Sequence, residues 1–114
     1  MNEHFPPSLR VRKRREYLDL HRGRRVATAH FVFFVRERGD QAPPRLGLIV
    51  SRKVGNAIVR NLLKRRCREL FRRRFVRELR DGLDFVVLAK PTAGSLDFAA
   101  LTQEWERAVQ RVPR

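Results

Sequence analysis

A chain of 114 residues with 42% hydrophobic side chains is long and apolar enough for one domain with one modest core, which excludes wholesale disorder. Its formal net charge of +15, from 27 basic against 12 acidic side chains, opposes compaction by self-repulsion and calls for a polyanionic partner. A single cysteine excludes an internal disulfide and a cysteine-rich zinc site, no apolar run approaches the roughly 20 residues of a membrane span, and residues 1–15 lack the apolar stretch of a secretion signal, so the expected setting is the cytoplasm, away from membranes.

Residues 1–9, with Pro6-Pro7, read as a flexible N-terminal arm, and residues 10–114 as the domain proper. Residues 13–21 predict a short, highly charged helix with Tyr17 and His21 four positions apart on one side. Gly23 is placed to cap its end. Residues 26–35, rich in valine and phenylalanine, predict a strand. Residues 37–44 hold Gly39-Asp40 and Pro43-Pro44 and form a loop. Residues 45–51 predict a second strand, paired with the first as an antiparallel hairpin. A long helical pattern covers residues 57–73; residues 74–79 either extend it or form a separate turn, and Asp81-Gly82 breaks it. Residues 84–89 (DFVVLA) read as a short strand buried on both faces. After a loop at 91–95, Asp97 is placed to cap a final helix over 98–111, whose apolar stripe is Phe98, Leu101, Trp105 and Val109. The elements describe a single small α+β domain in the order α-β-β-α-β-α, with helices packed on a small mixed sheet.

The charge is uneven along the chain. Residues 1–74 hold 21 basic and 6 acidic side chains, a net of +15, whereas residues 75–114 hold six of each. Of the 27 basic residues 23 are arginine, whose planar fork suits bidentate phosphate binding and base stacking, so the composition favours nucleic acid over a membrane surface. On a wheel of about 100° per residue, Val59, Leu63, Cys67 and Leu70 share one side of the long helix, with Leu62 beside them. Arg60, Asn61, Lys64, Arg65, Arg68 and Arg72 fill the opposite arc, and Glu69 interrupts its margin. A merely solvated face gains from alternating signs; this one repels itself along Arg60–Lys64–Arg68–Arg72, one turn apart at each step. Neutralisation by phosphates accounts for that arrangement. Asn61 adds a neutral donor and acceptor that can reach a phosphate, a base or a 2′-hydroxyl, or bond locally.

Catalytic chemistry within the chain finds little support. His4, His21 and His30 lack metal-ligand spacing. Cys67 falls on the apolar helix face and reads as a small buried hydrophobe. Asp81 and Asp84 fit turn and strand-start roles better than a paired-carboxylate site, and Ser95 reads as a loop or capping residue. Phosphate-cradling glycine motifs are absent. The expectation is no catalytic residue and no protein-bound metal.

The run SRKVGNAIVRNLLKRRCRE (residues 51–69) is similar to the signature of the bacterial ribonuclease P protein family, roughly S-[RK]-K-[VI]-G-N-A-V-x-R-N-R-x-K-R-x-x-R-E. The likeness extends to the charged N-terminal helix with its aromatic, the LGL-x-VS strand, the D-x-V-V-x-A strand and the last amphipathic helix. The resemblance implies a mixed sheet with a left-handed β-α-β crossover, like the second domain of a small-subunit ribosomal protein, against the usual hand. It implies a non-catalytic protein subunit of a ribonucleoprotein endoribonuclease that removes the 5′ leader of precursor tRNA, with hydrolysis carried by the catalytic RNA and its Mg²⁺. The partners so implied are that RNA and precursor tRNA. Carried over, Arg52, Lys53, Arg60, Asn61, Lys64, Arg65 and Arg68 resemble the contacts to the catalytic RNA, and Arg72 continues their row. Tyr17 and His21, with Phe31 and Phe33 on the neighbouring strand, resemble the leader-binding cleft, the strand register deciding which phenylalanine faces it. Leu62 departs from the family's second arginine, and Arg66 stands where an apolar residue is usual. One turn apart, they suggest that Arg66 supplies the displaced guanidinium while Leu62 completes the apolar edge. A structural ribosomal protein would share the charge and fold type, and a DNA-binding protein the charge; the signature run favours the ribonuclease P reading over both.

Overall fold

A computed structural model describes residues 24–112, so the arm expected over 1–9 and the helix expected over 13–21, with Tyr17 and His21, lie outside the described residues. The strands β1 (Arg24–Ala27), β2 (Phe31–Glu37), β3 (Arg45–Ile49) and β4 (Leu83–Ala89) form one mixed sheet in the order β1-β2-β4-β3. β2 runs antiparallel to both β1 and β4, whereas β3 and β4 are parallel. The helix α1 (Ala57–Leu70) joins β3 to β4, and α2 (Phe98–Gln110) follows β4. A parallel pair needs such a crossover of a dozen or more residues.

Two expectations are corrected here. The apolar run at 26–35 is not one strand: it folds back at Thr28–Phe31 into β1 and β2, with Thr28 N donating to the Phe31 carbonyl at 2.9 Å. No residue at that turn has a positive φ, so the local glycine or asparagine signal of a tight hairpin is missing. Glu104 of α2 holds the turn instead. Its carboxylate accepts from the Thr28 hydroxyl (2.5 Å), from His30 N (2.9 Å) and from His30 Nδ1 (2.5 Å). The second correction concerns pairing. β2 and β3 do not form a hairpin, because β4 lies between them. The strand that is apolar on both faces takes the centre of the sheet, where both faces can be covered.

The long helix also departs from a plain α-helix. Its buried residues Leu63, Cys67, Phe71, Phe75 and Leu79 recur every fourth position. At 3.6 residues per turn that spacing drifts by about 40° at each step. A wider π-helical turn over Phe71–Phe75 absorbs the drift, keeps both phenylalanines on the sheet, and passes into a last short turn, Val76–Glu78. Gly82, at φ +84°, reverses the chain into β4, and a Cβ there would stand 2.4 Å from the Asp40 carbonyl oxygen.

The core lies between one sheet face and the two helices. Phe31, Phe33, Leu46, Phe85 and Val87 from the sheet meet Leu63, Cys67 and Phe71 from the long helix and Leu101, Trp105 and Ala108 from α2. Trp105 sits at the centre, edge-on to Phe33 at 5.8 Å and to Phe85 at 5.7 Å, and stacked on Phe75 at 6.0 Å. Asp97 caps α2 by accepting from Ala100 N at 2.8 Å, as its position predicts. Phe98, expected on the apolar stripe, is 46% exposed; α2 instead turns Leu101, Trp105, Ala108 and Val109 inward.

Candidate nucleic-acid interface

Short polar caps aim the basic residues that follow them. Ser51 Oγ accepts from Lys53 N at 3.3 Å and sets a single helical turn, Arg52–Val54, on which Arg52 and Lys53 are exposed and Val54 is buried. Gly55 follows because a Cβ there would stand 2.9 Å from the Val59 side chain. Asn56 Oδ1 then accepts from Val59 N at 3.0 Å and caps α1. Arg60 closes the corner by donating from Nε to the Gly55 carbonyl at 3.2 Å. The non-basic members of the motif are thus caps and turn formers, and the basic ones are what it displays.

Along α1, Leu63, Cys67 and Leu70 are buried, while Asn61 and Arg65 are exposed and Arg60, Lys64, Arg66, Arg68 and Arg72 are half-buried. Among the described residues, Arg52, Lys53, Arg60, Lys64, Arg65 and Arg66 form no ion pair with a carboxylate. Arg72 does pair, with Glu69 at 2.6 Å, and Arg73 reaches the same carboxylate at 3.1 Å. The Arg72 hydrogen bond holds Glu69 below the ordinary carboxylate range. Leu62 does not complete the apolar edge: it is 36% exposed, on the side of Ile58 and Glu69, outside the buried Leu63–Cys67–Leu70 line. Burial pushes the Cys67 thiol up to about 12, which fits a core residue and not a nucleophile.

The aromatic expectation on β2 also changes. Phe31 and Phe33 are two residues apart, so they share one face of the strand, and both are 0% exposed within the core. Register therefore does not choose between them, and neither ring is accessible. Phe34 alternates to the other face, half-buried, where it and Ile49 each pack against Val86. Strict alternation along FVFFV carries that assignment once Phe31 and Phe33 are placed in the core. At one end of the same face Arg36, Asp84 and Arg45 stand in register across β2, β4 and β3.

Asp84 is buried and gathers three guanidinium groups: Arg36 Nη2 at 2.8 Å, Arg38 Nη1 at 2.9 Å, and Arg45 through Nε at 2.8 Å and Nη2 at 3.0 Å. Burial alone would raise its pKa, but the hydrogen bonds from Arg45, Arg36 and Arg38 outweigh it and hold the carboxyl below its ordinary value. Arg38 also pairs with Asp40 at 3.0 Å, so two carboxylates meet three guanidinium groups at this end of the sheet face. Asp81 is exposed in the preceding turn and takes no part. No cluster of three or more His, Cys, Asp or Glu side chains among the described residues is arranged to hold a metal ion, and no helix there is long and apolar enough to cross a membrane.

The family model described as Ribonuclease P matches residues 5–113. The chain is 42% identical over 98 residues to the ribonuclease P protein component of Syntrophus aciditrophicus, covering 85% of this chain and 81% of that protein. It is also 42% identical over 114 residues to the corresponding protein of Desulfovibrio desulfuricans, covering 96% and 87%. Its fold is similar to the RNase P protein from Thermotoga maritima solved with 1-(4-fluorophenyl)-2-thiourea, with a TM-score of 0.82 at 32% identity over 91% of this chain and all of that one. The Staphylococcus aureus RNase P protein gives 0.81 at 27% identity, covering 90% and 93%. A signature of caps followed by displayed cations, a central buried β4 and these likenesses along nearly the whole length agree: the chain belongs to the ribonuclease P protein family.

Proposed function

We propose that this chain is the RNA-binding, non-catalytic subunit of a cytoplasmic ribonuclease P that removes 5′ leaders from precursor tRNA. The observation that carries the reading is the two-sidedness of α1: one side is sealed into the core by Leu63, Cys67 and Leu70, and the other offers Arg60, Asn61, Lys64 and Arg65 beside Arg52 and Lys53. Such a surface follows a phosphate backbone by charge and fork geometry, so it takes the catalytic RNA. Arg66, half-buried and one turn from Leu62, adds a guanidinium where the family's second arginine is displaced.

The leader, a single strand of variable sequence, is assigned to the sheet face of β2 that carries Phe34. An aromatic ring stacks on any base, worth about 1–3 kcal/mol, and is tolerant of sequence. Arg36 and Arg45 lie at one end of that face. Tyr17 and His21 complete the cleft on this reading. On this reading Mg²⁺ and the hydrolysis belong to the RNA partner; Asp84 and Glu104, the buried carboxylates among the described residues, are committed to arginine, threonine and histidine donors.

Reconstitution tests the proposal. The purified protein cleaves no precursor tRNA alone and raises cleavage by ribonuclease P RNA at low Mg²⁺. Cleavage by the protein alone, or no gain on adding it to the RNA, overturns the reading.

A further inference from the structure

Three large apolar side chains among the described residues are exposed, and two of them stand one turn apart on α1: Ile58, 79% exposed, and Leu62, 36% exposed. Neither belongs to the core. Asn61 and Arg65 adjoin them toward the cationic arc, Arg66 lies on the other flank, and the strip ends at Glu69, tied to Arg72 and Arg73. Exposed aliphatic surface of this kind gains nothing from water, and α1 would be better served there by charged residues.

We infer that Ile58 and Leu62 form an aliphatic ledge that receives an unstacked nucleobase of the bound RNA, next to the phosphates held by the cationic arc. The inference rests on the proposed RNA-binding reading and adds an apolar, uncharged component to it. The flanking charge selects the occupant. A second copy of this chain would bring together two molecules that each carry a net charge of +15, and two side chains fall far short of the roughly 1,200 Å² that a stable protein interface buries. A nucleobase fits: its flat apolar face covers two aliphatic side chains while its own phosphate remains within reach of the neighbouring guanidinium groups.

Charge and apolar contact separate cleanly by salt. Removing a cation lowers the slope of log affinity against log salt by about 0.7–0.9 for each phosphate released, whereas removing an apolar contact lowers affinity at every salt concentration and leaves the slope alone. The experiment measures binding of the full chain to ribonuclease P RNA over a salt series, for the unaltered protein, Ile58→Ala, and Ile58→Ala combined with Leu62→Ala. Alanine keeps the helix, and both positions lie outside the core, so folding is retained. The double variant is expected to bind about tenfold more weakly with an unchanged slope, and the single variant to show part of that loss. Unchanged affinity overturns the ledge, as does a loss accompanied by a reduced slope. A photoreactive side chain at position 58 gives an independent readout: capture of RNA supports the assignment, and capture of a second protein copy, or of nothing, overturns it. A salt slope near zero in the unaltered protein instead overturns the RNA-binding reading itself, so the two failures are distinguishable.

Discussion

At the scale of single residues, the buried carboxylates tie together segments that are distant in sequence. Asp84 neutralises guanidinium groups from β2, β3 and the loop between them, and it does so from the central strand. Asp84→Asn leaves three partly buried cations around a neutral amide, and is expected to cost about 3–5 kcal/mol of unfolding free energy by urea titration. The pH dependence follows from the direction of its shift. A carboxyl whose folded pKa is depressed contributes stability above its unfolded value of about 3.9, and that contribution is lost as pH falls through the folded pKa. Glu104 shifts the same way: burial raises it, but the Thr28 hydroxyl and the His30 backbone and ring outweigh burial. The protein is therefore expected to lose stability progressively below about pH 4, and Asp84→Asn to flatten that loss; an acid titration monitored by circular dichroism checks both, and an unaltered profile in the variant contradicts the assignment. Cys67 provides a simpler check. With its thiol buried and pushed up to about 12, it should resist alkylation in the folded protein at neutral pH and react once denaturant is added.

At the scale of elements, the turn before α1 shows why a motif dominated by charge also contains Ser51, Gly55 and Asn56. Asn56→Ala removes the acceptor for Val59 N and should cost about 1 kcal/mol by thermal or urea unfolding, while leaving the salt slope of RNA binding intact. Arg66→Ala should do the reverse, weakening RNA binding with little effect on stability; unchanged affinity would show that Arg66 does not stand in for the displaced arginine. Much of this was legible in the sequence, because periodicity and caps are local: the two-sided helix, the cap Asp97, and the doubly buried strand ending at Ala89 were all read from neighbouring residues. What escaped was set by contacts distant in sequence. The turn at Thr28–Phe31 has no glycine or asparagine and is held by Glu104, 76 positions after Thr28, so the run looked like one strand. The pairing of β3 with β4 in place of β2 depends on which strand fills the sheet centre, and no local pattern states it. The π-helical turn was visible only as an unbroken four-residue spacing from Leu63 to Leu79. At the candidate site the basic residues were legible, but Phe34 was not, because three phenylalanines within four positions must first be divided between two faces. Phe34→Ala is expected to weaken binding of precursor tRNA by the reconstituted enzyme by about 1–3 kcal/mol and to leave binding of mature tRNA unchanged; equal losses for both would remove Phe34 from the leader path.

At the scale of the whole molecule, the surplus behind the net charge of +15 sits in the first two-thirds of the chain, which is where the proposed reading places the RNA. Residues 75–114 are balanced, and several of their acidic groups are spent internally: Glu78 and Glu106 on Arg74, Glu104 on His30, Asp84 on the arginine cluster. Arg60, Lys64 and Arg65 form no ion pair with a carboxylate among the described residues, and on the proposed reading their charge serves the RNA. The direct test is the salt dependence of binding to ribonuclease P RNA, compared between the unaltered chain and the paired change Lys64→Gln with Arg65→Gln. The unaltered chain should lose affinity steeply with salt, and the variant's slope should be shallower by about 0.7–0.9 for each lost phosphate contact. Equal slopes in the two proteins would contradict the account, since these cations would then hold no phosphate.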